Sequence, residues 1–239
     1  VTRNQGVNWT VQAPSASLTL SVGVSRGDQS VTLVSASSVA TGDLIWLYEN
    51  VSTETSFNTV RRQVFCVQSV SGSVVTFTST IRMPFSTSAS VTHYSNPQPF
   101  TLRNGTIAYN NAPADQFTPS LLRLQGLRGP RVDGVTVYSD QAWKSGGPDG
   151  MGIRMTFCEA ARYTSFHCEG VSYGIDVETC SNTIIQGVTG TNVRHPVAVA
   201  GWSVGTQIQG LSTSQVWQTI ESHSAFDTSY ANVFAARDE

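Results

Sequence analysis

The chain has 239 residues and a mass of 25.7 kDa, enough for one large domain or two small ones with a sizeable core. Only 13% of its residues are charged, the formal net charge is -2, and Lys144 is the single lysine beside thirteen arginines. That balance excludes the basic stripe of a nucleic-acid binder and the Glu/Lys/Leu heptads of a coiled coil, and no apolar run reaches the roughly 18 residues of a transmembrane helix.

Ser, Thr and Val dominate, with 20 Gly and 9 Pro. These are strand and turn residues, and the hydroxyl-rich, weakly charged composition is common among extracellular and virion β-proteins. The chain opens Val1-Thr2-Arg3-Asn4, with neither Met nor a basic-then-apolar signal segment, so a fragment or processed product is expected.

Residues 1–98 read as an N-terminal β-subdomain at the start of the fold. Strand runs at Gln29–Leu33, Gly42–Leu47, Gln63–Val67 and Val74–Thr78 alternate without a long period, and Ser71-Gly72-Ser73 separates the last two as a hairpin turn. The boundary falls near Ser95-Asn96-Pro97-Gln98-Pro99.

Residues 99–239 repeat. Gly152-Ile153-Arg154-Met155-Thr156-Phe157-Cys158 is followed 22 positions later by Gly174-Ile175-Asp176-Val177-Glu178-Thr179-Cys180, and then by Pro196-Val197-Ala198-Val199-Ala200-Gly201-Trp202. Gln218–Ser224 continues the series, with a bulge or register shift expected at Ile220-Glu221. A second strand follows each copy, as at Phe166–Val171, Ile184–Val188 and Gln207–Leu211, and Thr101–Ile107 and Arg131–Val137 are looser copies. One such unit cannot bury its own apolar face, but stacked units can, with equivalent strands paired in parallel at about 4.8 Å. The expected fold is therefore all-β: a right-handed, single-stranded parallel β-helix of about 22 residues per rung, carrying an N-terminal antiparallel β-subdomain. Ile153, Met155, Ile175, Val177, Val197 and Val199 point inward; Arg154, Thr156, Asp176, Glu178, Ala198 and Ala200 point outward. Loop excursions are expected at 109–120 and 144–150. After the last strand pair no capping segment is legible, so further chain or another subunit is expected there.

The stretch from Gly27-Asp28-Gln29-Ser30-Val31-Thr32-Leu33 to Gly42-Asp43-Leu44 resembles the start of pectate-lyase-like β-helix proteins. The rungs, with Ser222-His223-Ser224-Ala225-Phe226-Asp227-Thr228, resemble bacteriophage tailspikes and depolymerases. The resemblance covers most of the chain in architecture and carries no catalytic signature. It implies a homotrimeric virion protein, exposed outside the cell, that meets other tail proteins and binds, and often cleaves, a bacterial surface polysaccharide. Pectate lyases use calcium-binding aspartates and an arginine base, and no matching acidic cluster is legible here, which disfavours lyase chemistry.

Glycoside hydrolysis needs two carboxyl groups flanking one sugar bond. Asp176 and Glu178 stand two apart on one strand, with Cα atoms about 6.6–6.8 Å apart, and are the candidate catalytic pair. Arg154 one rung below and Trp202 one rung above supply a cation and a stacking platform for substrate. Glu221 and His223 form a second cluster with Asp227, as an acid–base dyad or a strand-end hydrogen bond. Asp133, Asp140 and Asp149 are weaker candidates. A solvated Arg154–Asp176 surface pair, a sugar-binding face without turnover, and a trimer contact through the apolar patch Ala198, Ala200 and Trp202 stand as alternatives. No cofactor is implied. Cys66, Cys158, Cys168 and Cys180 lack metal-ligand spacing and read as buried free thiols, and the histidines, His195 placed at a turn, share no rung position.

Overall fold

The computed structural model describes residues 2–3, 7–8, 13–51, 60–109, 120–139 and 150–236. The greater part of both expected loop excursions, with Asp140 and Asp149, lies outside the described residues. Two short strands, β1 (Thr2–Arg3) and β2 (Val7–Asn8), come first. Six strands follow: β3 (Ala16–Thr19), β4 (Ser30–Thr32), β5 (Leu44–Asn50), β6 (Val60–Ser71), β7 (Val74–Phe77) and β8 (Ser90–Tyr94). They form one antiparallel sheet in the order β3-β8-β5-β6-β7-β4. Gly72 makes the β6–β7 hairpin turn at φ 57°.

The rest of the chain coils. β9 (Thr101–Tyr109), β11 (Arg131–Ser139), β13 (Arg162–Glu169), β15 (Ile184–Val193), β17 (Gln207–Val216) and β19 (Ser229–Ala236) stack in parallel as one face. β10 (Ser120–Gln125), β12 (Met151–Thr156), β14 (Tyr173–Glu178), β16 (His195–Ala200) and β18 (Ile220–Ser222) stack as a second. A third, narrow face is a column of single parallel bridges linking Arg128, Glu159, Ser181, Val204 and Phe226. The chain is a parallel β-helix. β1 and β2 pair with β9 and β10, so the first coil begins before the antiparallel sheet and resumes after it.

Inward columns make the core. Leu122, Ile153, Ile175 and Val197 are in register, as are Leu124, Met155, Val177 and Val199. Across the core, Val132, Tyr163, Ile185 and Ile208 run up the opposite face. Nearly all of these side chains are fully buried. The coil turns its corners through left-handed residues that also stack: Gly129, Ala160, Asn182, Gly205 and Asp227 all have positive φ. Asn and Asp tolerate this region better than other side-chain-bearing residues.

The period corrects one expectation. Ile175 lies 22 residues after Ile153, but Ile220 lies 23 after Val197. The extra residue sits in the turn after β16, because Glu178 to Ser181 is three steps whereas Ala200 to Val204 is four. Strand β18 keeps its phase, with Ile220 on Val197 and Glu221 on Ala198. Trp202 therefore does not continue the Cys158–Cys180 column. The Cys180 N–H donates to Ser203 Oγ at 3.2 Å instead. All four cysteines are free and buried.

The antiparallel sheet packs against the coil at the ends of β12, β14 and β16. Trp46 stacks on Phe157 with ring centroids 4.1 Å apart, and Arg82 pairs with Asp227 at 2.5 Å. Trp202 stacks on Phe226, and both pack on the antiparallel core. Ala198 is covered by Met151 and Tyr173. Ala198 and Trp202 of the outward apolar patch thus find cover within the chain.

Stacking this close leaves no room at Gly174. A Cβ there would lie 2.5 Å from Cys168 Sγ and 2.7 Å from the Pro196 carbonyl oxygen. Gly174→Ala is expected to lower stability by about 3 kcal/mol, read from the urea midpoint at constant slope. A loss below about 0.5 kcal/mol would contradict the packing described.

Candidate functional site

Parallel register lines up the outward residues of the second face. Arg123, Arg154, Asp176, Ala198 and Glu221 form one column. Beside it run Gln125, Thr156, Glu178 and Ala200. Toward the strand starts, Met151, Tyr173 and His195 make a third. The result is a strip of titratable and aromatic groups, with the antiparallel sheet at one end and Trp217 at the other.

Arg154 sits between the two candidate carboxyl groups. Its Nε is 3.1 Å from Asp176 Oδ2, and its Nη2 donates to Glu178 Oε2. Burial alone would lower the Arg154 pKa, but Asp176 and Glu178 together raise it, so its cation is firmly held. Glu178 has a second cation: Arg62 of β6 donates from Nη1 to Oε1 at 2.9 Å. The surroundings of the pair are unequal. Asp176 keeps only 7% of its side chain open, against 21% for Glu178. Removal from water pushes the Asp176 carboxyl up to about 7, Arg154 and Arg123 opposing the shift and Glu178 and Glu221 adding to it.

Glu221 joins the same strip. It lies two rungs from Asp176 with small Ala198 between, and its Oε1 is 2.9 Å from His223 Nε2, a ring that is 71% exposed. The Tyr173 hydroxyl donates to Glu221, and burial with this anion raises the phenol pKa. His195 Nε2 lies 3.7 Å from the other Glu221 oxygen. Burial lowers the His195 pKa against the pull of Glu221, which favours a neutral ring. His195 is buried at the start of β16 rather than at a turn. Tyr173 meets His195 at a tilt, with ring centroids 5.0 Å apart, His195 stacks on Trp217 at 6.0 Å, and Arg194 lies 4.7 Å over the Trp217 ring. Trp217 is 59% exposed.

Asp176, Glu178, Arg154, Glu221 and His223 are therefore brought together. Trp202 is not: the extra turn residue puts it against Phe226 and the antiparallel sheet. Asp227 is held away by Arg82. Asp133 lies on the other face, accepting a hydrogen bond from Thr164 at 2.6 Å. Arg62, Tyr173 and Trp217 were missed by sequence reasoning. Trp217 carried a usable signal, standing one residue before the Gln218–Ser224 segment; Arg62 carried none, since nothing local ties residue 62 to residue 178. No group of three or more His, Cys, Asp or Glu side chains arranged to hold a metal ion occurs among the described residues.

No family model and no curated protein matches the chain. Among solved structures it is similar to the tailspike protein gp49 from Pseudomonas phage LKA1, with a TM-score of 0.71 and 18% identity over 93% of this chain and 42% of that one. The Pseudomonas phage phi297 tailspike gp61 gives a TM-score of 0.65 and 16% identity over 95% of this chain and 46% of that one. The gp54 tailspike of Acinetobacter baumannii bacteriophage AP22, solved in complex with A. baumannii capsular saccharide, gives 0.68 and 18% over 94% and 42%. The chain spans under half the length of each. At these identities the similarity establishes a shared fold.

The proton on Asp176 has a thermodynamic consequence. Its folded pKa of about 7 exceeds the 3.8 of an aspartate in water, so between roughly pH 4 and pH 7 the folded chain binds more protons than the unfolded one. This group's stabilising contribution is complete below pH 4 and lost as pH rises to 7. Asp176→Asn should therefore gain on the parent by a few kcal/mol between pH 4 and pH 8, since each tenfold difference in proton affinity is worth about 1.4 kcal/mol. Urea unfolding of both proteins at the two pH values measures this; a pH-independent difference would contradict a raised Asp176.

Proposed function

We propose that the chain is part of a bacteriophage tailspike, a homotrimeric virion protein outside the cell that binds a bacterial surface polysaccharide, capsule or lipopolysaccharide O-chain, and hydrolyses it during host adsorption. The observation that carries the reading is the pair of carboxyl groups two residues apart on β14 in opposed environments. Asp176 is buried, and removal from water pushes its carboxyl up to about 7; Glu178 is flanked by Arg154 and Arg62. Such a separation of surroundings assigns acid and base in glycoside hydrolysis.

In this reading Asp176 protonates the leaving glycosidic oxygen, and Glu178 activates water or attacks the sugar carbon. Arg154 keeps the two side chains in one geometry. Trp217 offers a flat apolar ring for a sugar face, and Glu221 with His223 accept and donate hydrogen bonds to sugar hydroxyls. The solved tailspike with a capsular saccharide supports the ligand class. The fold similarity to phage tailspikes supports the virion setting. A spike that binds without turnover is the second reading. It draws on Arg154 bridging both carboxyl groups, which suits a rigid surface as well as a reactive one.

Incubating the chain with purified capsular or O-chain polysaccharide, and following new reducing ends and shortened chains, tests the hydrolase. Asp176→Asn and Glu178→Gln should each cut turnover by about 100-fold or more while leaving saccharide binding intact. Trp217→Ala should weaken binding by about tenfold, as loss of a stacked aromatic does. Unchanged turnover in both carboxyl variants would end the catalytic assignment; binding without any chain shortening would favour the second reading.

A further inference from the structure

The antiparallel sheet does more than cover the coil. Arg62 projects from β6, and its Nη1 reaches Glu178 Oε1 at 2.9 Å across the junction between the sheet and the coil. The Arg62 side chain is three-quarters buried, and its guanidinium carbon lies 5.9 Å from the Tyr48 ring centroid. On the other side of Glu178, Arg154 contacts the second carboxylate oxygen and simultaneously contacts Asp176. The four groups form a chain, Arg62–Glu178–Arg154–Asp176, in which each arginine has a defined duty.

We propose that Arg62 is a positioning residue for the candidate site: by taking one oxygen of Glu178 it keeps Arg154 shared between Glu178 and Asp176, so that the antiparallel sheet sets the environment of a carboxyl group it does not touch. Its catalytic meaning rests on the hydrolase reading, but the coupling is a property of the folded chain without substrate. Without Arg62, Glu178 has one cation left, and Arg154 is drawn toward it and away from Asp176. The withdrawn guanidinium makes Asp176 harder to ionise. The other titratable groups facing Asp176 are Arg123 from β10, Glu221 from β18, Glu178 and Tyr173 from its own strand and Tyr163 from β13. Arg62→Gln leaves all of these in place.

The experiment follows the Asp176 side-chain carboxyl by carbon-13 NMR between pH 4 and pH 9, using the full chain. Arg62→Gln should raise its titration midpoint by roughly 0.5 in pH or more, and Arg62→Lys should keep it near the parent value. In a Glu178→Gln background, adding Arg62→Gln should move the midpoint little, because the influence passes through Glu178. An unmoved midpoint in folded Arg62→Gln overturns the proposal, and so does an equal shift with Glu178 already replaced. Should Arg62→Gln fail to fold, Arg62→Lys against Arg62→Met decides between charge and packing: equal midpoints overturn the proposal, and a rise in Arg62→Met alone supports it. If the parent cleaves polysaccharide, Arg62→Gln should lower kcat about tenfold with KM within about threefold. A parent that cleaves nothing refutes the hydrolase reading and leaves the titration result standing.

Discussion

In-register stacking of parallel strands, about 4.8 Å apart, is the constraint on which the rest of the molecule depends. Each rung presents the same inward positions to the rung above, so Ile153, Ile175 and Val197 become a continuous apolar column that no single rung possesses. The same rule acts on the outside, where it is less forgiving. Charges at equivalent positions are forced into neighbourhood, and like charges directly opposite are destabilising. On the strip, Arg154 meets Asp176, and Ala198 separates Asp176 from Glu221. These two steps alternate sign or insert a small neutral residue, whereas one rung earlier Arg123 stands directly beside Arg154 as a like charge.

Register also explains why neighbouring carboxyl groups behave differently. Asp176 lies mid-strand, roofed by its own column neighbours, whereas Glu178 lies near the strand end, where the antiparallel sheet begins. Two residues of displacement along one strand change the solvent exposure threefold, from 7% to 21%, and bring one group within reach of a second arginine. Ion pairs this deep yield modest net stability, because desolvation offsets much of the attraction. Their value lies in fixing side-chain geometry.

The antiparallel sheet holds to the coil by aromatic stacking of Trp46 on Phe157 and by polar contacts at Arg62 and Arg82. Phe157 adopts φ 55° in the corner after β12, an uncommon conformation for a large side chain. There its ring meets Trp46, and the turn geometry of the coil and the docking of the sheet are solved together.

The repeat was legible in the sequence because stacking demands the same residue type at each rung, and that demand is written at a fixed spacing. It yielded the β-helix, the inward columns, the buried thiols, and the meeting of Arg154, Asp176 and Glu178. It misplaced Trp202, because one extra residue in the Gly201–Ser203 turn leaves the strand pattern intact while rotating the corner. It kept Glu221 and His223 apart from Asp176, since two rungs of chain separate what the axis brings together. Burial of Asp176, the arrival of Arg62 and the aromatic row ending at Trp217 were decided only by tertiary structure. Periodicity is a local property of the chain, whereas exposure and contact between sheet and coil depend on which surface covers which, and no spacing within one segment encodes the segment that packs on it.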